Sequence, residues 1–403
     1  MLLEFIIALL LGLLAGTFTG LFPGIHINLI SAILISAIPA LLFLQNIPVI
    51  YLSIFIISMA ITHTFLDFIP SIYLGAPDED NFLSILPGHQ LLKQGKGHEA
   101  VSLTLLGSLT ALPIILIFIP IFIYLLPLIF STSKAFLPYL LIFISFYLIF
   151  KEKEPLQALT IFLLAGFLGF ATLNLPVKQP MLPLLTGLFG TSTLIISLRN
   201  KLSLPKQTIS KIKQTALPKK DFLKSSLSAI ISAPLCSFLP GIGSGHAALI
   251  GSEIIPQNNK TFLFLVGSIN TIVTALSFIT LYSLQKTRTG AAATIKSLLT
   301  IITPQNLIII ILTIFISGFL AFFIGIKISK LAALSINKVN YKTLSITIIS
   351  ILILLTFFLS NPLGLIVLIT STSLGIFTIL SKSRRINLMG VLIIPTIIFY
   401  LLV

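Results

Sequence analysis

Residues 238–246 read Phe238-Leu239-Pro240-Gly241-Ile242-Gly243-Ser244-Gly245-His246, a polar interruption between two apolar runs. Pro240 has no backbone N–H to donate, and Gly241, Gly243 and Gly245 tolerate dihedrals that other residues resist, so a continuous helix is expected to break here. In a bilayer, bare N–H and C=O groups survive only where protein buries them or a watery cavity meets them. The helix that resumes after the break presents free N–H groups and the positive end of its dipole, which suits an anion. The same signature appears earlier as Leu21-Phe22-Pro23-Gly24-Ile25-His26-Ile27-Asn28. The offset of 217 residues from Pro23 to Pro240 is too long for a solenoid period and fits two halves of a transporter.

Composition places both breaks in a membrane. Of the 403 residues, 56% are hydrophobic and 9% charged, with a mean hydropathy of +1.13. Nearly every window of about 20 residues is apolar enough to cross a bilayer, and no polar block is long enough for a separate soluble domain. The expected fold is an all-α polytopic integral membrane protein of the cell membrane, with two pseudo-symmetric repeats and re-entrant or broken helices at the Pro-Gly motifs. The net charge of +15 comes from short basic segments between apolar spans, which argues against nucleic acid as a partner and for basic loops held in the cytoplasm beside anionic lipid headgroups. Cys236 is the single cysteine, which excludes an intrachain disulfide or a Cys-rich metal site; it reads as a small buried side chain. Residues 1–16 carry Glu4 where a signal peptide would carry Lys or Arg, and read as the first transmembrane helix.

The order of segments assigns 1–198 to an N-terminal repeat, 199–220 to a basic cytoplasmic linker and 221–403 to a C-terminal repeat. The linker carries Arg199, Lys201, Lys206, Lys211, Lys213, Lys219 and Lys220 and no acid. After the first break, the run 29–44 is short for a crossing and reads as a re-entrant half-helix. Residues 47–70 form a full span closed by Pro70, in which His63 and Asp67, four apart, share a helical face. A loop with Asp78, Glu79 and Asp80 follows, with a short amphipathic helix around Leu83–Lys93. The next apolar stretch contains Pro113, Pro120 and Pro127 and fits either one kinked span or two short ones. Spans over 136–150, 156–173 and 180–198 complete the first half. The second half repeats the order: a helix to Phe238, the break, a short run to Ile255, then a span from Thr261 to Leu284. Helices at about 306–326, 343–359, 362–381 and 388–403 end the chain. Gly375 sits in an uninterrupted apolar span and reads as remote from any site.

Pro23, Gly24, His26, Asn28, Pro240, Gly241, Gly243, Ser244, Gly245 and His246 are the candidate substrate-binding residues, grouped around the two breaks. Gly243 is expected at a positive φ that turns backbone N–H groups toward an anion. His26 and His246 each follow a Pro-Gly closely, where an imidazole can donate to an anion, shuttle a proton or tie up loose carbonyls. Thr62, His63, Asp67, Glu253 and Asn270 are candidates for coupling or for supporting the site. Asp67 and Glu253 are singled out because acids within or beside a span are costly, whereas neutral polar residues there also serve helix packing. No metal site is expected, because no His pair has helical ligand spacing. No nucleophile elbow, phosphate loop or metalloprotease helix appears, so the chain is not expected to be an enzyme.

With both breaks in view, the chain resembles the large membrane subunit of the tripartite tricarboxylate transporters, the TctA-like family. The resemblance rests on Phe22-Pro-Gly-Ile-His26, on Leu239-Pro-Gly-Ile-Gly-Ser-Gly-His246, and on Leu74-Gly-Ala-Pro-Asp78 followed by Leu86-Pro-Gly-His-Gln-Leu-Leu-Lys-Gln-Gly-Lys96. It implies inverted repeats, re-entrant hairpins and a carboxylate site where the two breaks meet. It also implies a small membrane subunit and an external solute-binding protein as partners. The leading expectation is a secondary transporter for a small organic anion, with no cofactor beyond a coupling Na+ or H+. The same backbone amides would also suit a translocase for polyprenyl phosphate or another anionic lipid. A membrane enzyme acting on a lipid-linked substrate is the third reading.

Overall fold

The computed structural model describes residues 2–22, 27, 30–31, 34, 47–74, 85–133, 136–199, 205–238, 243–287, 289–299, 301–336 and 341–402. These residues are helical with short connections, and no strand occurs among them. Eight of the helices are long and apolar enough to span a membrane, which makes the chain a multi-pass integral membrane protein.

The first half contains α1 (Leu2–Leu21), α2 (Val49–Leu66), α3 (Phe68–Leu74), α4 (Ile85–Lys93) and α5 (Gly97–Ser133). The span expected to stop at Pro70 continues to Leu74, because Pro70 falls in the first turn of α3, where its missing N–H has no helical partner to lose. The stretch with three prolines is the single helix α5, with Pro113, Pro120 and Pro127 inside it. Then come α6 (Leu137–Phe150), α7 (Pro155–Asn174), and α8 (Met181–Leu185), which passes through a π-helical stretch at Thr186–Thr191 into α9 (Ser192–Arg199).

The linker contributes α10 (Ile212–Thr215). It is followed by α11 (Lys219–Ser232), α12 (Leu235–Phe238), α13 (Ser244–Ile254), α14 (Asn259–Leu284), α15 (Gly290–Leu299) and α16 (Pro304–Ser335). Helix α16 passes the expected stop near 326 and continues through Lys327 and Lys330 to Ser335. The chain closes with α17 (Tyr341–Leu380) and α18 (Gly390–Leu402).

Helix α17 is two helices joined at Asn361, whose φ of 63° and ψ of 175° are not helical. Its first arm runs antiparallel to α8–α9: Ser360 Oγ donates to Gln179 O at 3.0 Å, and Leu194 packs with Ile348 and Leu352. The second arm runs parallel, with Ser371 against Pro183 and Gly187, and Gly375 against Leu188 and Ser192. The element is therefore a hairpin with two crossings, as the expected spans 343–359 and 362–381 require. Asn361 steadies the turn by donating its amide to Pro176 O at 2.8 Å.

Small residues set the closest helix contacts, as apolar helices in lipid demand. Gly107 of α5 and Gly267 of α14 face the neighbouring backbone so closely that a Cβ on either would meet a carbonyl, Phe264 O or Thr104 O. The adjacent serines bond reciprocally: Ser108 Oγ donates to Gly267 O at 3.1 Å and Ser268 Oγ to Gly107 O at 3.0 Å. Gly12, Gly16 and Gly20 let α1 lie against α2 in the same way.

Candidate functional site

Helices α1 and α2 run parallel: Ser58 Oγ donates to Leu9 O at 2.8 Å, and Gly20 lies against His63 O and Leu66. Phe5, Ile50 and Tyr51 share one apolar cluster. The chain thus leaves α1 beside the far end of α2 and re-enters α2 at its near end. Ile27, just past the first Pro-Gly, is buried in the main core.

Around the second break, α11–α12 and α13 form an antiparallel pair. Ser225 Oγ donates to Gln257 Oε1 at 3.0 Å near the open end, Gly251 faces Ser228 and Ser232 midway, and the Cys236 thiol donates to Gly243 O at 3.1 Å near the tip. Small side chains explain this hairpin: the serines of α11 and Gly251 of α13 leave no bulk between the arms. Cys236 is buried and not in a disulfide, as read from the sequence.

Gly243 is the N-cap of α13, with no side-chain cap, so Ser244, Gly245 and His246 occupy the first turn, where backbone N–H groups lack helical partners. All three are buried. Gly243 has φ −90° and ψ 178°, an extended conformation open to any residue; the expected positive φ is not found. Pro23, Gly24, His26, Asn28, Pro240 and Gly241 lie outside the described residues.

The structure brings together Asp67 and Asn270. Asp67 sits at the junction of α2 and α3, 3% exposed, and the position of a Cβ on Gly20 would be 3.3 Å from its backbone N. Asn270 lies on α14, which packs along both arms of the second hairpin, and its Nδ2 donates to Asp67 Oδ2 at 3.0 Å. One turn earlier on α2, His63 Nδ1 meets Thr19 Oγ1 of α1 at 3.1 Å. Thr62 is fully buried, and its hydroxyl finds no partner among the described residues. Glu253 is not part of this group: it ends α13 at the open side of the hairpin and forms an ion pair with Lys151. Among the described residues, no cluster of three or more His, Cys, Asp or Glu side chains gathers.

Sequence reading missed Thr19 and the Gly-Ser pairs that weld α5 to α14. A signal existed: Leu106-Gly-Ser-Leu109 and Val266-Gly-Ser-Ile269 place the same small-residue dipeptide in one apolar span of each half.

The model of the tripartite tricarboxylate transporter TctA family matches residues 6–390. The chain belongs to that family. It is also 33% identical to an uncharacterized protein of Methanocaldococcus jannaschii, over 98% of each chain. No solved structure matches it. The family is that of a membrane component of tricarboxylate-type transporters, in accord with the transporter reading.

Proposed function

We propose that this TctA-family protein is a secondary transporter that carries a small organic anion, a carboxylate, bound between the two Pro-Gly breaks and coupled to a cation or proton at Asp67. The observation that carries the reading is the Asn270–Asp67 hydrogen bond, which joins the helix packed on the second hairpin to the point where α1 approaches the first break. An intramembrane carboxylate is a default coupling group. The N-terminal end of α13, whose cap Gly243 has no side chain, turns the positive end of a helix dipole toward the anion.

Inverted repeats account for the arrangement of the helices. Read from the sequence, both halves run helix, break, short arm, span, short helix, long span, so that α5 corresponds to α16 and α2 to α14. Helix α16 runs antiparallel to α5, with Gly318 near Leu112, Gly325 near Leu105, and His98 Nδ1 3.0 Å from Ser329 Oγ. It runs parallel to α2–α3, with Gly318 near Ile61, Gly325 near Leu66, and Tyr73 Oη donating to Ser329 O at 3.1 Å. Corresponding helices of opposite direction are what inversion produces.

The family match favours a carboxylate over polyprenyl phosphate, and extends the proposal to a small membrane subunit and an external solute-binding protein as partners. The test is uptake of labelled citrate-like acids into proteoliposomes, under a sodium or proton gradient, with and without a solute-binding protein from the same genome. Saturable uptake driven by one gradient supports the reading. Polyprenyl phosphate movement without acid uptake would replace it with the lipid reading.

A further inference from the structure

The helices sort into two groups. Helices α1–α5 and α10–α16 form one; α6–α9, α17 and α18 form the other. Every extensive helix-on-helix contact among the described residues lies within one group. The chain passes between them three times, in the connections α5–α6, α9–α10 and α16–α17.

Each group is welded internally by glycine contacts. In the first, Gly107 and Gly267 hold α5 to α14, and Gly318 and Gly325 seat α16 against α2 and α5. In the second, Gly169 faces Val391 O, Gly390 faces Phe162 O, and Gly187 faces Ser371. Arg385 adds bonds to Leu188 O and Phe189 O at 3.0 and 2.8 Å, taking carbonyls of the π-helical stretch. Thr208 and Gln207 tie the linker to the first group, at Gly95 O and Leu92 O.

Contacts bridging the groups are slight by comparison. Buried apolar residues of both groups share one core, Leu74 packs on the Leu194, Ile348 and Leu352 cluster, and Lys151 of the second group pairs with Glu253 of the first, but among the described residues no glycine seats a backbone of one group against the other. The pair is partly solvent-exposed, with side chains 42% and 29% accessible, and such pairs are weak enough to open. Asp67, Asn270, His63 and the first turn of α13 all belong to the first group.

We propose that the first group moves as a rigid body against the second, carrying the site with it, and that Lys151–Glu253 latches the conformation seen here. Part of this rests on the transport reading: the moving site then gives its ligand access from each side in turn. The weld pattern supports rigid-body motion because packed interfaces switch between discrete arrangements rather than deform. Breaking the latch requires only a surface ion pair to part, whereas splitting either group would force glycine-seated backbones apart.

The test begins in a Cys236→Ser background, in nanodiscs without added substrate. Spin labels at Glu154→Cys and Lys224→Cys, one on each group, should give two distance populations; labels at Lys96→Cys and Lys224→Cys, both on the first group, should give one. In a separate Lys151→Cys/Glu253→Cys protein, a short bifunctional thiol reagent should lower uptake at least tenfold, reversibly on reduction. Joining those positions should also collapse the first distance distribution to one population. One intergroup distance, unchanged by cross-linking, by citrate, by sodium or by pH, overturns the proposal. Two populations in a protein that moves no acid would sink the transport reading while leaving the two bodies standing.

Discussion

Asn270 donates its side-chain amide to the Asp67 carboxylate at 3.0 Å, both residues buried, across 203 positions of sequence. A hydrogen bond to a charged group contributes about 1.5–3 kcal/mol, roughly a tenfold to 150-fold effect when it is lost. Because the pair joins α2 to α14, it ties together helices assigned to different repeats.

Asp67→Asn removes the charge while keeping the shape. Cation-driven uptake is expected to fall at least tenfold, with the melting temperature in detergent changed little; Asn270→Asp, which sets two carboxylates side by side, should lose both uptake and stability. Proteoliposome flux and a thermal melt measure the two effects. Full cation-driven uptake by Asp67→Asn would remove Asp67 from the coupling role.

Gly243→Val tests the second break. The extended φ of −90° accommodates valine, so the fold should survive, and any loss comes from a branched side chain filling the space beside the first-turn N–H groups of α13. Citrate-induced thermal stabilisation should disappear, since a ligand that binds only the folded state raises its stability. The control is Gly190→Ala, because a Cβ at Gly190 would have no neighbour nearer than 3.9 Å. Gly375, which from sequence reads as remote and neutral, is unsuitable: its Cβ would lie 2.5 Å from Leu188 O. Undiminished citrate stabilisation in Gly243→Val would move the search to Thr62, His63 and Asp67.

At the α5–α14 weld, Gly107→Val should destabilise strongly, because Phe264 O occupies the space a Cβ needs. Overpacking of this kind costs about 1–3 kcal/mol. Ser108→Ala, which deletes one of the two reciprocal hydrogen bonds, should cost about 1 kcal/mol. Denaturation midpoints of the two variants should rank in that order; equal midpoints would mean that the helices separate without cost at this point.

The basic segments predict sidedness. In a Cys236→Ser background, single cysteines replacing Ser203, Asn337 and Ser383 should react with an impermeant thiol reagent only from the cytoplasmic face. The structure agrees in grouping these regions: the linker is tied at Gly95, α16 ends near His98, and Arg384 pairs with Glu152 beside the Lys151–Glu253 contact. External reaction at any one position would refute the arrangement.

Sequence alone determined that this chain is an all-α membrane protein, that two Pro-Gly motifs interrupt its apolar runs and that it resembles the TctA-like family. Those properties are local: hydropathy over a span's length, the missing N–H of proline, and a run of residues in fixed order. Which polar residues meet was not legible, because pairing depends on how helices far apart in the chain are oriented. Asp67 reads equally well as a boundary residue or a coupling residue, and only the packing of α14 shows it buried against Asn270; Glu253 reads as a candidate until Lys151 is seen beside it. Gly243 and Gly375 show the same division. A glycine's sequence context announces freedom of the backbone, yet Gly243 is extended, and Gly375 is held by its lack of a side chain against Leu188. Only the tertiary structure decided these, because close packing is set by the neighbour across the interface and not by the residues on either side in the chain.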